Sequence, residues 1–92
     1  MDAFDLDVFG RVGDDYEAIH TIRGDLERDL ARPISVDEVG AALLRLVSLG
    51  FIDAFKFDAE RNAFCRVKAT VHPTEELWFL TNARGRAEYE RM

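Results

Sequence analysis

Cysteine is almost absent from this chain: Cys65 is the only one in 92 residues, so no internal disulfide can form. It also lacks the neighbouring Cys and His spacing of a zinc site, and in its apolar stretch it reads as a small buried side chain rather than a nucleophile. Proline occurs only twice, and Pro33 and Pro73 both read as breaks between elements. No apolar run approaches the roughly 20 residues of a membrane span. The acidic opening Met1-Asp2-Ala3-Phe4-Asp5 lacks the basic residues that begin a signal peptide, so the expected location is cytoplasmic, with no membrane contact. Catalytic signatures are missing too: there is no nucleophile elbow, phosphate-cradling glycine loop or paired-carboxylate motif. The chain is therefore not expected to be an enzyme or to carry a cofactor. Glu17 and His20 form an E-x-x-H pair, but no second pair completes a carboxylate-bridged metal site, and His72 beside Pro73 reads as a loop residue.

Positive charge is also scarce. The chain has 12 Lys and Arg against 18 Asp and Glu, a net charge of -6, which disfavours any binding mode that neutralises many phosphates. The acidic residues crowd the first third, where Asp2, Asp5, Asp7, Asp14, Asp15 and Glu17 face Arg11 alone. The segment from Lys56 to His72 reverses the balance, with Lys56, Arg61, Arg66 and Lys68 against Asp58 and Glu60.

What is present is enough for a single domain over 1–92. With 48% apolar and 33% charged residues, the chain can build one compact core and is too short for two ordinary domains. Phe4-Asp5-Leu6-Asp7-Val8 alternates apolar and acidic as a strand does, yet Phe4 and Val8 are also one helical turn apart and Asp2 can cap a helix. After the break from Gly10 to Gly13, Asp14-Asp15-Tyr16-Glu17 offers an N-cap for a helix. Tyr16, Ile19, Ile22, Leu26 and Leu30 form its apolar stripe, and Pro33 ends it near Leu30 or Ala31.

The most informative stretch runs from Arg32 to Ile52. Ser35 sits at an N-cap, with Glu38 three residues on to complete a capping box. Gly50 lies where a helix closes through a left-handed residue, and Phe51 can fold back onto Leu46. Between them Val36, Val39, Leu43, Leu46 and Val47 share one face, while Asp37, Glu38, Ala41, Arg45 and Ser48 fall on or beside the other. Three strand signals follow, over 51–57, 63–71 and 77–81. Thr81 or Asn82 then caps a short terminal helix whose Ala83, Ala87 and Tyr89 are expected to face inward.

This order resembles the winged helix-turn-helix domain of PadR-like and MarR-like transcription regulators. Tyr16-x-x-Ile19 with Ile22, Leu26 and Leu30 resembles the family's second helix, and Arg32-Pro33-Ile34-Ser35 its turn. Val39-x-x-x-Leu43-x-x-Leu46-x-x-x-Gly50-Phe51-Ile52 is similar to its recognition helix and the opening of its wing. Leu77-Trp78-Phe79-Leu80-Thr81-x-x-x-Gly85-Arg86 is similar to the second wing strand and the start of the last helix. The resemblance implies an α+β fold: a single winged-helix domain with a two- or three-stranded wing and a short C-terminal helix. It also implies a transcription regulator that meets double-stranded DNA as a homodimer, through the helix from Val36 to Leu49 and the wing from Lys56 to Lys68. The residues so placed for DNA contact are Ser35, Arg45, Lys56, Arg61, Arg66 and Lys68.

The departures point elsewhere. The family presents Lys, Arg, Ser, Thr, Asn or Gln at the front of its recognition helix, whereas this chain presents Asp37 and Glu38, which repel phosphates. The first element is short, the wing long and the terminal helix barely two turns. Arg45 has a plainer reading as an ion-pair partner of Glu38 or a solvated side chain, and the wing cations read equally well as a solvated hairpin. Phe51, Phe55, Phe57, Phe64, Trp78 and Phe79 are dense for three short strands, and alternation lets only about half of them face the helices. The rest would form an exposed apolar patch, the mark of a partner surface. The alternative function is therefore an acidic winged-helix module that binds another protein, or itself, without DNA. Its interface residues would be Phe55, Phe57 and Trp78.

Overall fold

A computed structural model describes residues 1–92. The ambiguous first element is a helix, α1 (Ala3–Arg11), whose N-cap Asp2 accepts from the Asp5 amide at 2.8 Å. Helical spacing wins because Asp5, Val8 and Phe9 are buried together, whereas the strand pattern would have paired Val8 with Leu6, which is exposed. A two-residue strand, β1 (Glu17–Ala18), precedes α2 (Ile19–Leu30). The helix thus starts later than the Asp14-Asp15 cap predicts, and Ala18 at its N-cap supplies no side-chain hydrogen bond. The extended backbone before it takes Tyr16 off the helical stripe. Ile19, Ile22 and Leu26 keep the stripe buried, while Leu30 at its end is exposed.

The next helix, α3 (Val36–Ser48), forms as its sequence predicts. Ser35 Oγ accepts from the Glu38 amide at 3.0 Å, but the reciprocal half of the capping box is not made, because the Glu38 carboxylate faces Arg32 at 3.5 Å. At its other end the Gly50 amide donates to Val47 and the Phe51 amide to Leu46, with Gly50 at φ 81°. That is the paired closure of a Schellman ending, and the positive φ is the reason for glycine there.

Three longer strands complete the sheet: β2 (Ile52–Asp58), β3 (Ala63–Val67) and β4 (Trp78–Thr81). The last helix, α4 (Ala83–Arg91), follows, capped by Asn82, whose Oδ1 accepts from the Gly85 amide at 2.8 Å. The second of the three strand signals is shorter than expected on its C-terminal side, where Ala69–Val71 turns into a 3-10 helix. All pairings are antiparallel and the strand order is β1-β4-β2-β3. The domain is therefore α+β: four helices and an open four-stranded sheet. No helix is long and apolar enough to cross a membrane.

One face of the sheet meets the helices. Ile52, Ala54, Phe79 and Leu77 are buried with Val39, Ala42, Leu43 and Leu46 of α3, Ile19, Ile22 and Leu26 of α2, and Val8 and Phe9 of α1. The terminal helix packs differently from expectation. Ala83 and Ala87 are exposed and Gly85 is the residue buried against the core, while Tyr89, about half exposed, does turn inward, its ring edge-on to Phe9 with centroids 5.4 Å apart. Glycine allows the α4 backbone to approach more closely than an alanine-faced helix could.

Candidate interaction surface

The solvent face of α3 carries Asp37, Glu38, Ala41, Arg45 and Ser48, all exposed. Its one cation is not free. Arg45 Nε lies 3.0 Å from both carboxylate oxygens of Asp5 and its Nη2 lies 2.7 Å from Oδ1. Asp5 is only 3% exposed, and the hydrogen bonds from Arg45, outweighing burial, hold its pKa below the usual carboxylate value. The partner of Arg45 is thus a residue of α1 rather than Glu38. Ser35 is occupied as a helix cap.

The cations between Lys56 and Lys68 are answered one by one. Lys56 faces Glu76 at 3.7 Å, Arg61 faces Asp58 at 3.5 Å and Arg66 faces Asp53 at 3.2 Å; Lys68 alone has no carboxylate partner. Exposed pairs of this kind contribute little stability, but they cancel the local field that would draw a phosphate backbone. The excess of positive charge seen along the sequence from Lys56 to His72 thus disappears once Asp53 and Glu76 are folded beside it.

The other face of the sheet is covered by aromatic rings and by no helix. Opposed residues in an antiparallel pair share a face, so Phe55 with Trp78 and Phe57 with Phe64 lie together, away from the buried Ala54 and Phe79. Tyr16, delivered by the extended segment before β1, stacks on Phe64 with centroids 3.8 Å apart and planes 12° apart. It meets Phe55 edge-on at 5.0 Å. Phe64 meets Trp78 at 5.4 Å and Phe57 at 5.2 Å. Phe55, Phe64 and Trp78 are half-buried by one another, and Phe57 is 46% exposed. Each such pair is worth about 0.5–1.5 kcal/mol beyond area burial, so the rings hold the face flat and fixed without a covering element.

Carboxylates stand beside this face. Asp14 and Asp15 are exposed immediately before Tyr16, and Asp15 Oδ1 accepts from the Tyr16 amide at 2.8 Å. On β1, burial first and then the charges of Asp15 and Asp25 raise the pKa of Glu17, whose register opposite Phe79 places it on the helix-covered side of the sheet. Elsewhere the side chains offer no chemistry: no group of three His, Cys, Asp or Glu residues can hold a metal ion, and Cys65 is a half-buried thiol.

No protein-family model, curated protein or solved structure matches the chain. Function is inferred from the chemistry of these surfaces. The structure gathers Phe55, Phe57 and Trp78 on one face and ties the DNA-contact candidates, Lys68 excepted, to internal partners. Tyr16 is the member that sequence reasoning missed, because its three-residue spacing to Ile19 also fits a helix stripe.

Proposed function

We propose that the chain is a winged-helix interaction module that binds a basic protein segment on the open aromatic face of its sheet and does not read DNA with α3. The winged-helix part is supported by the element order: α2, the turn at Ala31 to Ser35 and α3 stand as a helix-turn-helix, β2 and β3 as the wing, and β1 beside β4 closes the sheet. The link to PadR-like and MarR-like regulators is kept, with protein contact replacing DNA contact as the mode of action. One observation carries the functional part: five aromatic side chains, Tyr16, Phe55, Phe57, Phe64 and Trp78, share a sheet face on which nothing is packed.

Charge selects the occupant. Ring faces attract Lys and Arg, by about 0.5–2 kcal/mol per contact; the exposed carboxylates of Asp14 and Asp15, next to Tyr16 in the chain, reinforce that preference, and Arg66, the cation opposite Phe55, is answered by Asp53. A second copy, itself at -6, would bring like charges together. Trp78 is the only tryptophan and sits in the face, so its fluorescence reads occupancy directly. Titration with a short peptide alternating Arg and Leu should change that fluorescence saturably, with a Kd on the order of 10 μM. A Glu-Leu peptide should leave it unchanged, and Phe57→Ser should weaken the Arg-Leu peptide by about tenfold. Equal response to both peptides, or a mass that doubles with concentration in light scattering, overturns this choice of occupant.

A further inference from the structure

A second surface stands out by its charge. Every Lys and Arg side chain except Lys68, Arg84 and Arg86 is paired with a carboxylate. Two of these three, Lys68 and Arg84, line the same groove, which lies between the end of α3, the ends of β2 and β3 nearest it and the start of α4, and has a volume of about 750 Å³. Its apolar surface comes from Val47, Ala54, Val67, Ala69 and Ala83. In a chain that neutralises nearly all its cations internally, two free ones in one concave site need a reason.

The helix dipole does not supply that reason for Arg84. It occupies the first turn of α4, where the helix dipole favours Asp or Glu and disfavours a cation, and no acidic residue stands in that turn. Its guanidinium is nevertheless held in place, 5.5 Å from the Phe51 ring centroid. It lies against Gly50, where a Cβ would come 3.0 Å from Arg84 Nη1. The neighbouring polar groups are already occupied. Arg66 is paired with Asp53 at 3.2 Å, and Asn82 donates to the Gly50 carbonyl at 3.0 Å while capping α4. Lys68 and Arg84 are left as the groove's donors without a carboxylate partner, and both can donate charge-assisted hydrogen bonds to an anion.

We propose that this groove binds a small organic anion, with a phosphate or carboxylate head held between Lys68 and Arg84 and an apolar body lying over Val47, Val67 and Ala69. The volume falls within the usual range for small-molecule sites, about 300–1,000 Å³. The site adjoins the aromatic face at Arg66, which lines the groove and stands opposite Phe55, but neither Lys68 nor Arg84 belongs to that face.

The test is a ¹H–¹⁵N NMR titration of the full chain with octyl phosphate, octanoate, octan-1-ol and inorganic phosphate. Octyl phosphate or octanoate should shift the amides of Gly50, Lys68, Ala69 and Arg84 saturably, with a Kd below about 1 mM. The tighter of the two identifies the head group. Octan-1-ol and inorganic phosphate, each lacking one half of the recognised chemistry, should bind about tenfold more weakly or worse. The double variant Lys68→Gln with Arg84→Gln should lose about tenfold or more in affinity with the rest of the spectrum unchanged, and Lys68→Gln alone should lose part of it with the Phe51 contact intact. Absence of saturable shifts with both amphiphiles, equal binding of octan-1-ol, or unaltered affinity in a folded double variant overturns the proposal.

Discussion

Gly85→Ala should detach α4 and destabilise the domain by about 3 kcal/mol or more, the scale of severe overpacking. A Cβ at this position would lie 2.0 Å from the Phe51 carbonyl oxygen and 2.9 Å from both the Phe51 carbonyl carbon and Thr81 Cγ2. Neither side can yield easily. The Phe51 carbonyl accepts from the Asn82 amide at 3.2 Å, and the Phe51 amide closes α3 on Leu46, while Gly85 is fixed by its own hydrogen bond to Asn82. The demand here is for space alone. Gly24 in α2 provides the contrast, since a Cβ there would meet nothing within 4 Å: Gly24→Ala should gain about 0.5–1 kcal/mol from helix propensity. Urea denaturation of the two variants and the parent checks both signs.

Asp5→Ala should cost about 2 kcal/mol at pH 7, near the lower end for a broken buried ion pair because Arg45 remains half in water. In a domain of this size that lowers Tm by about 8–16 °C. The pH dependence follows from the direction of the shift. Asp5 titrates below its ordinary value in the folded chain, chiefly because Arg45 hydrogen-bonds its ionised form, so folding favours the carboxylate. That contribution is complete above the unfolded pKa of about 4 and is lost as pH falls through the lower folded value. The gap in stability between parent and Asp5→Ala should therefore be constant from neutral pH down to about pH 5 and shrink below about pH 4. A gap that persists unchanged to low pH would mean that the ion pair is not its source. The contact also fixes where α1 meets α3, through residues forty positions apart in sequence.

Much of the architecture is legible in the chain because it is written in local chemistry. The Ser35 cap, the Gly50-Phe51 closure and the Asn82 cap each place a helix end within a residue or so of its predicted position, since each is decided by hydrogen bonds inside a few residues. Pairings across the sequence are not visible in that way. Arg45 has no carboxylate within one helical turn, Glu38 being seven residues away, and only the packing of α1 on α3 brings Asp5 to it. Lys56, Arg61 and Arg66 read as a basic wing until Asp53 and Glu76 fold next to them. The aromatic face is half legible: period two separates Phe55, Phe57 and Trp78 from Phe79, but the arrival of Tyr16 from beside β1 depends on where α2 begins. The groove at Lys68 and Arg84 has no sequence signature, because its parts come from α3, the wing and α4.

If the aromatic sheet face is the working surface, α3 and the wing should leave DNA alone. The most direct measurement is a ¹H–¹⁵N NMR titration with random duplex DNA at low salt, repeated across a salt series. Asp37 and Glu38 at the front of α3 and the ion pairs of Lys56, Arg61 and Arg66 predict no saturable shifts over residues 36–48 and 56–68 at any salt concentration. Saturable shifts there that weaken steeply with salt, approaching the slope of about -3.6 that four neutralised phosphates produce, would contradict this and make the chain a DNA-binding regulator.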